Sequence, residues 1–196
     1  MVQLLLDAHA EVDSKDTGYG QTPLTWAAKN GHSEVVQLLL DAHAEVDSKD
    51  AEFGETPLGW AAEGGHLEVV RLLLDDHAEV DSKSNSGRTP LSWAAEGGHF
   101  EVVQWLLGAH AEVDSKDTEY GRTPLSWAAE GGHFEVVKLL LRVHADMDVT
   151  DLNGKTPAEI AEDLGHAEVA EFLQAAAKDF CSQPTNMPVA SVNSNE

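Results

Sequence analysis

The dominant feature of the sequence is a period. Thr-Pro recurs at Thr22, Thr56, Thr89, Thr123 and Thr156, in steps of 34, 33, 34 and 33 residues. Gly-His recurs from Gly31, Gly65, Gly98, Gly132 and Gly165 with the same steps. Residues 2–16 return letter for letter as 36–50, and residues 87–103 as 121–137. A fixed period of this length means that each unit is one small supersecondary motif covered by its neighbours, so the chain grows as a stack. The one-residue alternation lies in the turn before Thr-Pro, where Asp16-Thr17-Gly18-Tyr19-Gly20 is one residue longer than Ser84-Asn85-Ser86-Gly87.

Each unit reads as a turn followed by two short helices. Gly20 supplies the turn, Thr22 caps the first helix with its hydroxyl, and Pro23 takes the first helical position, where a missing N–H does no harm. Leu24, Ala27 and Ala28 are small or apolar enough for close helix packing, and Gly31 ends the helix after barely two turns. Glu34 then falls in the first turn of a second helix, where a negative charge suits the dipole. Val35, Val36, Leu38, Leu39 and Leu40 make that second helix apolar over most of its circumference, so it needs cover on several sides.

The string Thr-Pro-Leu-x-x-Ala-Ala-x-x-Gly-His-x-Glu-Val-Val-x-Leu-Leu-Leu resembles the ankyrin repeat over about residues 1–177. The Thr-Pro-Leu-Ser-Trp-Ala-Ala variant is similar to repeats of long arrays in fungal multidomain proteins. The resemblance implies an all-α ankyrin-repeat solenoid of helix–turn–helix units joined by β-type turns. Its parts are a half repeat 1–15, full repeats 16–49, 50–83, 84–116 and 117–150, and a capping repeat 151–177, with 178–196 read as a disordered tail. The family usually has His after Thr-Pro-Leu, where this chain has Thr25, Gly59, Ser92 and Ser126, which removes the usual brace of the turn. It usually has Gly after the second helix, where this chain has His9, His43, His77, His110 and His144; these five are expected at positive φ. At the N-terminal end Leu4 and Leu5 lack a preceding repeat, which predicts an exposed apolar face and self-association through it, unless the chain is a fragment of a longer array. Ala158, Glu162, Ala170 and Gln174 give the last unit the character of a cap.

Charge narrows the partner. Twelve basic and 35 acidic side chains leave a net charge of −23. Phosphate backbones and anionic lipid repel such a chain, so nucleic acid and membrane surfaces are poor partners and a basic protein or peptide is a better one. Much of the acid follows the repeat, as in Glu34, Glu68, Glu101, Glu135 and Glu168, or Asp13, Asp47, Asp81, Asp114 and Asp148, and serves solubility first. No stretch approaches the roughly 20 apolar residues of a membrane span, and Cys181 is the single cysteine, so a cytoplasmic location is expected.

The residues do not point to chemistry. All ten histidines fall in two repeat positions, whose equivalents in stacked helices lie roughly 8–10 Å apart, too far for one ion. No metal, cofactor or catalytic residue is expected; Ser92 and Ser126 are framework positions, and Cys181 lies in the tail without a nearby base. Trp26, Trp60, Trp93 and Trp127 share one position on the first helix, about 200° round from Leu24, and are expected between repeats with an edge exposed. Trp105 replaces Leu38 and Leu72 and is expected in the core.

The resemblance implies a protein-binding module that uses its variable positions on a concave surface. On the turns these are Tyr19, Gln21, Phe53, Glu55, Ser86, Arg88, Tyr120, Arg122 and Asn153, and on the first helices Lys29, Glu63, Glu96 and Glu130. Tyr19, Phe53 and Tyr120 come from the inserted turn residue. Rings among charges have the character of interface hot spots, but each ring could equally pack on a neighbouring turn. The alternatives are a small-molecule binder or enzyme built on a groove pocket of Trp93 and Glu96, and a structural spacer within a longer array. A closed, ligand-sized cavity would favour the small-molecule reading, and a broad open groove the protein-binding one.

Overall fold

The computed structural model describes residues 2–181, the last three by their backbone alone. Met1 and residues 182–196, which include most of the expected tail, lie outside the described residues. The described residues form eleven helices and no strands. They are α1 (Val2–Asp7), α2 (Pro23–Lys29), α3 (Ser33–Asp41), α4 (Pro57–Glu63), α5 (Leu67–Asp75), α6 (Pro90–Glu96), α7 (Phe100–Gly108), α8 (Pro124–Glu130), α9 (Phe134–Arg142), α10 (Pro157–Asp163) and α11 (Ala167–Cys181). The first helices α2, α4, α6, α8 and α10 pack on one another in chain order, and the second helices from α1 to α11 form a parallel row. Helix α11 continues to Cys181, past the boundary expected at residue 177.

Local chemistry makes each unit. Thr22, Thr56, Thr89, Thr123 and Thr156 have extended backbones, and each side chain accepts a hydrogen bond from the N–H three residues on, with Pro next in line. Leu24, Leu58, Leu91 and Leu125 are fully buried, as are Val70, Val103 and Val137 of the second helices. The hydroxyl that replaces the family's histidine braces the turn itself: Thr22 pairs with Thr25 at 3.0 Å, Thr89 with Ser92 at 3.1 Å and Thr123 with Ser126 at 3.2 Å. Only Gly59, among these positions, offers no hydroxyl.

Repeats are joined by polar contacts that recur with the repeat. Asp13, Asp47, Asp81 and Asp114 accept from the N–H of Glu45, Glu79, Glu112 and Asp146 in the next unit, at 2.9–3.0 Å. The Gly-His histidine reaches the carbonyl that ends the preceding first helix: His66 to Lys29, His99 to Glu63 and His133 to Glu96, at 3.1, 2.9 and 2.7 Å. The turns also bond tip to tip, with the N–H groups of Ala51, Asn85, Thr118 and Leu152 donating to the carbonyls of Tyr19, Phe53, Ser86 and Tyr120 at 2.8 Å. The recurring Asp is therefore an inter-repeat clasp, and its charge comes with the architecture.

Two expectations about large side chains come out differently. Leu4 and Leu5 are 72% and 55% exposed, as the missing cover predicted. Trp105 is not in the core but 43% exposed. Leu38, Leu72 and Leu139 are only half-buried at that edge of the second helix, so an indole there projects outward, its ring 4.8 Å from the Arg71 guanidinium.

The five helix-end histidines do take positive φ, between 59° and 67°, and all are exposed. A side chain in that region costs roughly 1 kcal/mol relative to glycine. Replacing His43, His77 and His110 together by Gly should raise the melting temperature measured by circular dichroism. A fall would mean that these imidazoles make contacts worth more than the strain.

Candidate functional site

The face formed by turns and first helices is organised around four indoles. In three repeats an aspartate at the start of the turn serves two masters. Asp16 accepts the N–H groups of Gly18 and Tyr19 on Oδ1 and the Trp26 Nε1–H on Oδ2 at 3.0 Å. Asp50 holds Trp60 at 2.8 Å and Asp117 holds Trp127 at 3.1 Å in the same way. The Tyr19 N–H first, then the Trp26 indole, hold the Asp16 carboxyl below its ordinary pKa. Two repeats break the pairing. The third has Ser84 in place of the aspartate, so Trp93 donates instead to Glu55 of the preceding repeat, at 2.7 Å. The capping repeat has Asp151 but Ile160 in place of the indole; Asp151 Oδ2 is left without a hydrogen bond and lies 3.7 Å from Arg122 Nε. Burial alone would raise the Asp151 carboxyl, yet the N–H groups of Lys155 and Asn153 hold it below the usual range.

In the first three full repeats the residue just before Thr-Pro stands at the slot between successive indoles. Arg88 fills its slot completely: its guanidinium lies 3.5 Å from the Trp93 ring centre and 4.0 Å from that of Trp127. It also pairs with Glu96 at 2.6 Å and donates to the Ser92 carbonyl at 3.2 Å. Burial pulls the Arg88 pKa down, with Glu96 opposing. Arg122 stacks on Trp127 at 4.8 Å and pairs with Glu130, and Lys155 pairs with Asp163. Glu55 occupies its slot by turning inward toward Gly59, where a Cβ would stand 1.8 Å from its Oε1. Burial pushes its carboxyl up to about 7, against the stabilising bond from Trp93. In the first slot Gln21 is buried with no partner for Oε1, and Lys29 reaches across to sit 3.7 Å above Trp60.

The rings of the inserted turn residues stand at the rim. Phe53 meets Trp60 and Tyr120 meets Trp127 edge to face, each at 5.7 Å between centroids. Tyr19, Phe53 and Tyr120 nevertheless stay 49%, 48% and 42% exposed. Each of the latter two therefore packs on its own repeat's indole and presents its other half outward. A hydrogen bond from the Tyr120 hydroxyl to the Glu119 carboxylate raises the phenol's pKa.

The family model described as "Ankyrin repeats (3 copies)" matches residues 1–50, 42–117 and 109–183. The chain is an ankyrin-repeat protein. Comparison with curated proteins found no match. Ankyrin repeats are in general protein–protein interaction modules. Among the described residues, no helix is long and apolar enough to cross a membrane, and no three His, Cys, Asp or Glu side chains converge as metal ligands would.

The ankyrin framework sorts the positions singled out in the sequence. Tyr19, Lys29, Phe53, Glu63, Tyr120 and Asn153 are exposed on the turn-and-first-helix face, and Ser86, Glu96, Arg122 and Glu130 are half-buried there. Gln21, Glu55 and Arg88, expected on the open surface, are instead buried beneath it at 3%, 2% and 6% exposure. They vary because each answers to its own slot. Trp60 and Trp127 are buried and Trp93 half-buried between repeats, while Trp26 is 45% exposed, more than the expected edge. The Trp93 and Glu96 pocket of the small-molecule reading is taken up by Arg88 itself. Two exposed carboxylates beside the rings, Glu52 and Glu119, are not among the positions that repeat-to-repeat variation singled out. Their signal was proximity in sequence to Phe53 and Tyr120.

Proposed function

We propose that this ankyrin-repeat protein binds a basic segment of another protein across its extended turns and first helices. The observation that carries this reading is the row of half-exposed rings, Tyr19, Phe53 and Tyr120, each placed beside a carboxylate or an acidic helix end. Rings already held from beneath lose little freedom on docking, and acidic neighbours draw cations toward them. The overall charge of −23 extends that attraction to long range and makes it sensitive to salt.

The test is a basic peptide selected from a displayed random library on the whole chain and followed by surface plasmon resonance. Phe53→Ala or Tyr120→Ala should raise its off-rate, by roughly 1–2 kcal/mol in affinity. The charge test belongs at Glu63, because Glu96 and Glu130 are ion-paired to Arg88 and Arg122 and reversing them would strand those cations. Glu63→Lys should mainly slow association, and more so at low salt. If selected ligands were acidic, or were indifferent to all three changes, this face would be the wrong surface.

A further inference from the structure

We propose that the cleft between the first two full repeats is a receptor for a single arginine side chain of the partner. The inference rests on the protein-binding reading above and names the chemistry of its anchor. The cleft, about 410 Å³, is lined by Tyr19, Gln21, Trp26, Lys29, Glu52 and Phe53. Its template is inside the molecule. Two repeats on, the equivalent slot holds the Arg88 guanidinium between Trp93 and Trp127. In the first slot the residue at the same position is Gln21, too short to stack; Lys29 covers the Trp60 ring, and Trp26 keeps 45% exposure where its counterpart Trp93 is half-buried.

A second observation points to a donor from outside. Gln21 is 3% exposed, lines the cleft, and its Oε1 accepts no hydrogen bond. An enclosed amide acceptor without a partner costs about 1–3 kcal/mol, which an N–H of a docked guanidinium would recover. Arginine satisfies this demand better than lysine, because its planar group stacks on an indole while its edge still donates. The charges around the slot are Asp16, Glu52, Lys29 and Glu63. The Lys29 ammonium is already stacked on Trp60 and lies near Glu63, whose carboxyl burial raises and Lys29 only partly offsets. Asp16 is engaged by the Gly18, Tyr19 and Gln21 N–H groups and the Trp26 indole, so Glu52, which lines the cleft, is left to meet an incoming cation.

The probes are four capped tripeptides, Gly-Arg-Gly and its lysine, citrulline and glutamate counterparts, titrated into the whole chain and followed by two-dimensional NMR. The arginine peptide should move the Trp26 indole and Gln21 amide signals saturably. The lysine peptide should bind about fivefold more weakly or less, and the citrulline and glutamate peptides should leave both signals in place. Trp26→Ala should abolish the response. The double change Gln21→Arg with Lys29→Glu rebuilds the Arg88–Glu96 pair of the third repeat and should fill the slot in cis, with the same loss.

Equal shifts from citrulline, a stronger response to glutamate, or an arginine response confined to Trp93 and Trp127 would overturn the assignment. The library-selected peptide separates this failure from that of the broader reading. Sensitivity to Tyr120→Ala with indifference to Trp26→Ala would sink the arginine receptor and leave the binding face standing. Indifference to both would sink both.

Discussion

At pH 8 the Glu55→Gln variant should be more stable than the parent chain, and the difference should shrink as the pH falls, vanishing only below about pH 4.5. Glu55 is 2% exposed, and burial raises its carboxyl from 4.5 to about 7 in the folded chain. Unfolding returns it to water and to its ordinary value. A raised folded pKa means that the folded state holds the proton more tightly than the unfolded one. Its contribution is therefore complete below about pH 4.5 and is lost as the pH climbs through 7. The full span corresponds to on the order of 3 kcal/mol, a ceiling for one group that relaxes by admitting water. Glutamine keeps an acceptor for the Trp93 indole and carries no charge to desolvate. Parallel urea melts at pH 5, 6.5 and 8 would read the effect, and parallel pH profiles for the two chains would refute it. A sharper version rebuilds the neighbour: Glu55→Arg with Gly59→Ser copies the Arg88–Ser92 arrangement and gives Glu63 an opposite charge. That chain should exceed the parent at every pH above 6.

The second large effect has the opposite sign. Arg88→Met should cost about 2–4 kcal/mol in the same melts. The methionine keeps most of the stem, so the loss isolates what the guanidinium does: it stacks on Trp93 and Trp127, donates to the Ser92 carbonyl and pairs with Glu96. The Glu96 side chain is 39% exposed, so the ion pair is the smaller share and the stacking the larger. Arg88→Lys should then fall between the two, since an ammonium keeps the charge but not the plane. A lysine variant as stable as the parent would mean that charge alone matters there.

These two residues also mark where the sequence stopped being readable. The stack, its period, the Thr-Pro caps and the positive-φ histidines were legible because each follows from a local rule about backbone or periodicity. The position before Thr-Pro was not. It changes from Gln21 to Glu55, Arg88, Arg122 and Lys155, and such variation in charge ordinarily signals a surface. Here the position is buried at Gln21, Glu55 and Arg88, and in the last three units its occupant is matched to a residue eight places on. The clue was available, since Arg88 and Glu96, Arg122 and Glu130, and Lys155 and Asp163 are opposite in charge at one spacing. Trp105 was misplaced for a simpler reason. A position that only half-covers leucine in its neighbours cannot swallow an indole, and repeat alignment carries identity but no depth.

The slots also differ in how firmly they close. The last two full repeats and the cap each hold an opposite-charge pair, whereas the first two hold Gln21 with Lys29 and Glu55 with Glu63. Because each unit of such an array leans only on its neighbours, local differences are not averaged over the whole molecule. Opening is therefore expected to begin at the first repeats, with amide exchange there faster than next to the cap. The slot that leaves the Trp26 ring open lies among these less firmly closed repeats. A side chain docking there would act as a bolt, transferring to a partner the closing role that Arg88 performs for its own chain.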